Sequence, residues 1–196
     1  MYTPFLALQR IAAATGLAIA TVLATGCASP APNYTPSVAN AEAMKKALAG
    51  NPVRNGTISV APDLPGAASV GIRADSMTSP VGSHFGDYIS AALRQELEFA
   101  KLMNPQSNTE ISGTLLKNNI DAGGFSTNQG QIEVRFVVRR NQDTRFDKVK
   151  RAEHQWESSF MGAVAIPAAR NNYPVLVQKL IASLVSDPDF VTAVKP

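Results

Sequence analysis

Apolar and polar side chains alternate most regularly between Gln131 and Arg139. Ile132, Val134, Phe136 and Val138 take one phase, Glu133, Arg135 and Arg139 the other. A period of two predicts a strand with one buried and one wet face. The neighbouring segments read the same way. Thr109 to Ile120 (T-E-I-S-G-T-L-L-K-N-N-I) predicts the strand before it, with a phase shift at Leu115-Leu116 that marks a bulge. The run D-A-G-G-F-S-T-N-Q-G predicts the reversal between the two. After the polar turn N-Q-D-T, Phe146 to Phe160 alternates again, with Ala152, His154, Trp156, Ser158 and Phe160 in one phase. Strands that are each half wet predict an antiparallel meander.

Two stretches carry the longer helical period instead. Phe85, Tyr88, Ile89, Ala92, Leu93, Leu97 and Ala100 recur at three- and four-residue spacing, with Arg94, Gln95 and Glu98 off that face. Ser83 is the candidate cap and Asn104-Pro105 the stop. Tyr173, Leu176, Val177, Leu180, Ile181, Leu184 and Val185 predict a second helix, opened by Asn171-Asn172-Tyr173-Pro174 and closed by Asp187-Pro188. Thr57 to Ala61 and Ala68 to Ala74 are shorter β-leaning runs separated by Pro62, Pro65 and Gly66, and the prolines make the first an edge or irregular strand. The predicted order is β-β-α-β-β-β-α. This is an α+β fold, two helices packed on one face of a mostly antiparallel sheet, in one domain over 57–196. Met161 to Arg170 (M-G-A-V-A-I-P-A-A-R) is apolar, but its glycine and proline exclude a long strand. Burial under the last helix and an exposed docking loop are both open to it.

The N-terminus has a different pattern. Arg10 is the only charged residue before Glu42, and the apolar run Ile11 to Leu23 ends in small residues before Cys27, the single cysteine. A positive residue, a short apolar core and small residues at a cleavage point predict a secretory signal over 1–26. The run is shorter than the ~20 residues that span a bilayer. Residues 27–56 read as a flexible tether: Ala28 to Asn40 is small, polar and proline-rich, and Ala41 to Ala49 (A-E-A-M-K-K-A-L-A) is a short helix at most.

Leu23-Ala24-Thr25-Gly26-Cys27, within V-L-A-T-G-C-A-S-P, resembles the lipobox of bacterial lipoproteins. The resemblance implies cleavage before Cys27 and acylation of its thiol and amino group, which makes Cys27 the lipid-attachment site. Several acyl chains anchor stably where one binds marginally. Ala28 stands where an aspartate would resemble an inner-membrane retention signal, so the implied location is the outer membrane, with the domain facing the periplasm. Beyond the lipobox, A-L-R-Q-E-L, I-S-G-T-L and W-E-S-S-F-M-G-A-V-A-I-P followed by N-N-Y-P resemble the YajG family of lipoproteins over roughly Val70 to the C-terminus. A looser likeness reaches lipoprotein activators of penicillin-binding proteins. These resemblances imply a non-enzymatic domain that docks on an envelope component, with no active-site residues to carry over.

Charge and chemistry narrow the picture only a little. Eighteen basic and fifteen acidic residues give a formal charge of +3, which gives no ground for a nucleic-acid partner. No H-E-x-x-H, phosphate-cradling G-x-x-x-x-G-K or G-x-S-x-G pattern occurs, and no cofactor or metal site is expected. His84 with Asp87 and Tyr88 would favour a ligand-binding or hydrolytic domain acting on cell-wall fragments if a pocket joined them. The plainer reading makes Asp87 a complement to the helix dipole. His154, on the apolar phase beside Trp156, reads as a core or rim histidine. Arg135, Arg139, Arg140, Arg145, Lys148, Lys150 and Arg151 cluster along two strands and their turn. They form either a basic patch for peptidoglycan carboxylates, lipopolysaccharide phosphates or an acidic protein surface, or a solvated face that discourages strand pairing.

Overall fold

The computed structural model describes residues 28–195, so the expected signal over 1–26 and Cys27 lie outside the described residues. In chain order the elements are β1 (Ala28–Pro30), α1 (Val38–Leu48), β2 (Arg54–Val60), β3 (Ser69–Ile72), β4 (Asp75–Thr78), α2 (Phe85–Phe99), β5 (Thr109–Asp121), β6 (Thr127–Arg140), β7 (Asp143–Glu157), α3 (Gly162–Val185) and α4 (Pro188–Val194). The predicted meander is the body of a four-stranded sheet ordered β2-β5-β6-β7, with β2 parallel to β5 and the remaining pairs antiparallel. The phase shift read at Leu115-Leu116 is a register shift between Leu115 and Lys117.

Ile132, Val134, Phe136 and Val138 point to one face of the sheet and are buried. Over that face α2 covers β2 and β5, and α3 covers β6 and β7. All seven apolar positions predicted for the first helix are buried, which makes the fold an α+β one with helices packed on a sheet. The expected strand at 68–74 takes another form. It is one arm of the β3–β4 hairpin in a separate three-stranded sheet, β1-β4-β3, beside the far end of β5.

Residues 28–56 are folded, where composition predicts a tether. β1 pairs in parallel with β4, and Ala31, Tyr34, Ala41, Met44, Ala47 and Leu48 are buried in the common core. The apolar content of α1 is low because small residues make the contact. Ala41, Met44 and Leu48 share one face, Ser37 caps the start, and Ala49 at φ 47° closes the end. Backbone and side-chain hydrogen bonds supply the rest of the attachment.

The last long helix begins at Gly162, well before the expected start, and runs through Pro167 and Pro174. Each proline removes a backbone donor and ordinarily breaks a helix. Here the buried residues Ala165, Ala169, Tyr173, Leu176, Leu180 and Leu184 keep one continuous face on the sheet, so packing outweighs local preference. This settles the 161–170 segment both ways: Ala165 and Ala169 are buried, whereas Met161 and Val164 are exposed. β7 ends at Glu157, so the alternation expected to continue to Phe160 does not, and that ring faces solvent.

A polar link ties the edge strand β7 to α4. Lys150 Nζ lies 3.0 Å from Asp187 Oδ2, and Lys148 pairs with Asp189. Burial works against charge on the Asp187 carboxyl. Hydrogen bonds from Lys150 and the Asp189 N–H, with the charges of Lys150 and Lys148, outweigh it and hold the pKa below the ordinary 3.8. A carboxyl depressed by folding stabilises fully above its unfolded pKa and loses that contribution as pH falls through the folded one. Asp187→Asn should therefore cost about 1–2 kcal/mol at neutral pH. In urea melts at several pH values, the gap to wild type should close as pH drops below 3.8.

Candidate functional site

The face of the four-stranded sheet opposite the helices is polar, and none of the described elements covers it. Arg54, Ser59, Ser112, Thr114, Arg135, Val137, Arg139, Asp147, Val149 and Arg151 share it by register. At its β2 end the face deepens into a groove of about 910 Å³, walled by Arg54, Ser59, Arg94, Glu98, Glu110 and Thr114 among others. Two pairs neutralise most of its charge: Arg54 with Glu110 and Arg94 with Glu98, each at 2.7 Å. Arg139 also lines the groove, is exposed, and makes no ion pair among the described residues.

Close approach of α2 to β2 sets the groove's shape. Ser90 Oγ donates to the Gly56 carbonyl at 3.0 Å, and Asn55 Nδ2 donates to the Ser90 carbonyl at 3.2 Å. Gly86 permits the contact. A Cβ there would stand 2.3 Å from the Ile58 carbonyl oxygen.

The seven basic residues read from the sequence do not form one patch. Arg135 and Arg139 lie on the open face with Arg151. Arg135 holds Asp147 through two hydrogen bonds of 2.6 Å, and Arg151 pairs with Glu133 at 3.0 Å. Lys148 and Lys150 lie opposite Phe136 and Val134 in register, on the helix side, where they meet Asp189 and Asp187. Arg140 donates to Thr109 Oγ1 at 3.1 Å, and Arg145 stands at a register shift beside α4. That shift, next to Val138 and Arg139, and acids supplied by a distant helix divide the cluster.

His84, Asp87 and Tyr88 are not joined by a pocket. His84 rather than Ser83 caps α2. Its Nδ1 accepts from the Asp87 N–H at 3.2 Å, while Asp87 Oδ2 accepts from the N–H groups of Ser83 and His84. This reciprocal cap satisfies orphan donors of the helix start. Gly82, at φ 64°, brings the chain within 2.2 Å of Asp87 Oδ2 as measured from a Cβ it lacks. Tyr88 points the other way, into the core, and donates to the Pro32 carbonyl at 2.9 Å; burial raises its pKa far above the ordinary range. His154 lies on the rim between Asn172 Oδ1 (2.8 Å) and Lys179 Nζ (2.9 Å). Lysine can only donate, so Nδ1 accepts and Nε2 carries the proton.

Glu96 is the residue that the sequence reading passed over. It is fully buried in α2, and its Oε1 accepts from Tyr34 O–H (2.5 Å), Ser37 N–H (2.9 Å) and Asn40 Nδ2 (3.2 Å). Burial and the Glu96 hydrogen bond push the Tyr34 hydroxyl far above its ordinary pKa, so it stays a donor. Asn40 Nδ2 also reaches the Gln178 carbonyl, and Gln178 Nε2 donates to the Thr35 carbonyl. Three donors on one oxygen make a latch that fixes the N-terminal segment to α2 and α3. A signal was present in the sequence: position 96 falls on the apolar phase set by Ile89, Ala92 and Leu93.

Helices over one face of a sheet and an open polar face on the other define an α+β domain with one uncovered sheet face. No family model matches the sequence, and no curated protein matches it. Among solved structures, the fold is similar to the crystal structure of a Xanthomonas campestris protein of the DUF330 family. The TM-score is 0.51 at 12% identity, over 84% of this chain and 96% of that one. At that identity the likeness is one of fold alone. Among the described residues no helix is long and apolar enough to cross a membrane.

Proposed function

We propose that this chain is a non-enzymatic outer-membrane lipoprotein, similar in plan to the YajG-like family, whose periplasmic domain binds an envelope component through its open sheet face. The observation that carries the binding role is the uncovered groove with Arg139 unpaired in its wall. Beside the Arg54–Glu110 and Arg94–Glu98 pairs, a guanidinium with no ion pair of its own suits a carboxylate or another anionic group on a partner, because arginine presents paired donors to such groups. The anchoring role is supported by the lipobox-like run ending at Cys27 and by the folded segment that begins at the next residue. The partner is an envelope protein, peptidoglycan or lipopolysaccharide, and the domain activates or helps assemble what it binds. A second reading, binding of cell-wall fragments, is favoured by the groove's volume, which falls in the range of small-ligand sites.

A photo-cross-linking residue at Thr114, in intact cells, should give a discrete adduct with one envelope component. The same residue at Lys46, on the exposed face of α1, should not. Arg139→Glu should reduce capture about ten-fold, as expected for the loss of one charge-assisted hydrogen bond. Equal capture from Thr114 and Lys46, or capture untouched by Arg139→Glu, would refute the assignment of this face.

A further inference from the structure

Four of the eight large apolar side chains that are exposed among the described residues gather at one end. Phe125 (74% exposed), Phe160 (77%), Met161 (63%) and Val164 (52%) come from the β5–β6 turn, the link between β7 and α3, and the first turn of α3. The Phe125 and Phe160 rings stack on each other at 5.8 Å and 8° rather than folding inward. Both of their loops are held from beneath by one side chain. Arg73, in the two-residue turn of the β3–β4 hairpin, donates from Nε to the Ala122 carbonyl (2.7 Å) and from Nη1 to the Phe160 carbonyl (3.1 Å). Its Nη2 reaches the carbonyls of Ser159 (2.7 Å) and Gly124 (3.3 Å). Arg73 does this from φ 56°, a conformation costly for a side-chain-bearing residue.

The first described residue, Ala28, lies beside this platform. β1 runs parallel to β4 with Ala28 opposite Ser76, and Ser76 lies three residues beyond Arg73, on the order of 10 Å of strand. Whatever is attached to Cys27 therefore emerges at the same end as the two phenylalanines. The two loop segments themselves, A-G-G-F-S-T (122–127) and S-S-F-M-G-A-V-A-I-P-A-A (158–169), contain no ionisable side chain, and the charges of Arg73, Asp121 and Glu157 flank them. An apolar surface at the root of a lipid anchor matches the chemistry of the bilayer boundary, where aromatic rings are accepted and flanking charges can stay among the headgroups.

We propose that Phe125, Phe160, Met161 and Val164 insert into the phospholipid surface that holds the Cys27 acyl chains; this rests on the lipoprotein reading above. The domain then stands with its strands rising from the membrane. Glu110, in the groove, is eleven residues along β5 from the membrane-facing Asp121. The groove would open on the order of 35 Å into the periplasm.

The test uses the full acylated protein purified from membranes and reconstituted in vesicles of phosphatidylethanolamine and phosphatidylglycerol containing acyl-brominated lipid. Trp156→Phe provides the background, removing an indole N–H that has no partner. Phe160→Trp then reports on the platform. Phe99→Trp, 51% exposed at the end of α2 near the start of β5, reports on the opposite end. The Phe160→Trp emission should be largely lost to bromine quenching, and the Phe99→Trp emission retained. Protein that floats with the vesicles but shows equal emission at both positions overturns the insertion while leaving the anchor intact. Protein that does not float overturns the lipoprotein reading, and the insertion with it.

Discussion

Glu96→Ala should release the N-terminal segment from the domain while leaving the sheet in place. The substitution strips the shared acceptor from Tyr34 O–H, Ser37 N–H and Asn40 Nδ2 together. A buried donor left without a partner costs about 1–3 kcal/mol. Asn40 keeps the Gln178 carbonyl, so two donors lose their acceptor outright, and a loss of roughly 3–4 kcal/mol follows. The loss should appear as new protease cleavage within 28–50 before global unfolding, because β2 and the meander do not depend on the latch. Glu96→Gln keeps an oxygen at the same place and should recover most of the protection. Equal damage from both variants would mean that Glu96 acts through bulk packing, not as an acceptor.

Gly86→Ala should destabilise the protein although it replaces glycine by the best helix former. In an exposed helix interior the exchange gains ~1 kcal/mol. At position 86 the new methyl would meet the Ile58 carbonyl oxygen at 2.3 Å and the His84 ring at 3.0 Å. The carbonyl belongs to β2 and cannot swing away like the end of a flexible side chain, so α2 has to retreat from the strand. That retreat stretches the Ser90–Gly56 and Asn55–Ser90 hydrogen bonds that shape the groove. Overpacking of this kind costs about 1–3 kcal/mol, and after the helix-propensity gain the net loss of stability is up to about 2 kcal/mol. Urea denaturation measures it directly; unchanged or raised stability would show that α2 moves freely against β2 and that the groove's wall is soft.

Elements whose stability is local were legible in the chain. The alternation from Ile132 to Val138 and the helical spacing from Phe85 to Ala100 each name their own buried face, because one-sided burial imposes the period. The N-terminal segment was not legible for the opposite reason. Its small and proline-rich composition offers little surface to bury, and what holds it is Glu96, at a sequence separation of 62 from Tyr34. The start of α3 was hidden similarly: Pro174 reads as a first-turn residue, but burial of Ala165 and Ala169 carries the helix upstream of it. The basic cluster looked continuous because sequence shows neither the register shift beside Val138 nor the acids that α4 brings to Lys148 and Lys150. Arg139, now unpaired in the groove wall, was one member of that cluster without distinction. The platform at Phe125 and Phe160 was invisible because the two loops are far apart in sequence and are bound together in part by Arg73, from a separate hairpin.

The segment from Ala28 onward is part of the domain, so an anchor at Cys27, as proposed, would mount the domain rigidly instead of on a tether. Native-state hydrogen exchange of Ala41 to Leu48 tests this most directly, since protection reports the free energy of local opening. These amides should exchange nearly as slowly as those of α2 in the wild-type protein, and they alone should accelerate in Glu96→Ala. Exchange at the rate of an unstructured chain in the wild type, with α2 fully protected, would contradict it.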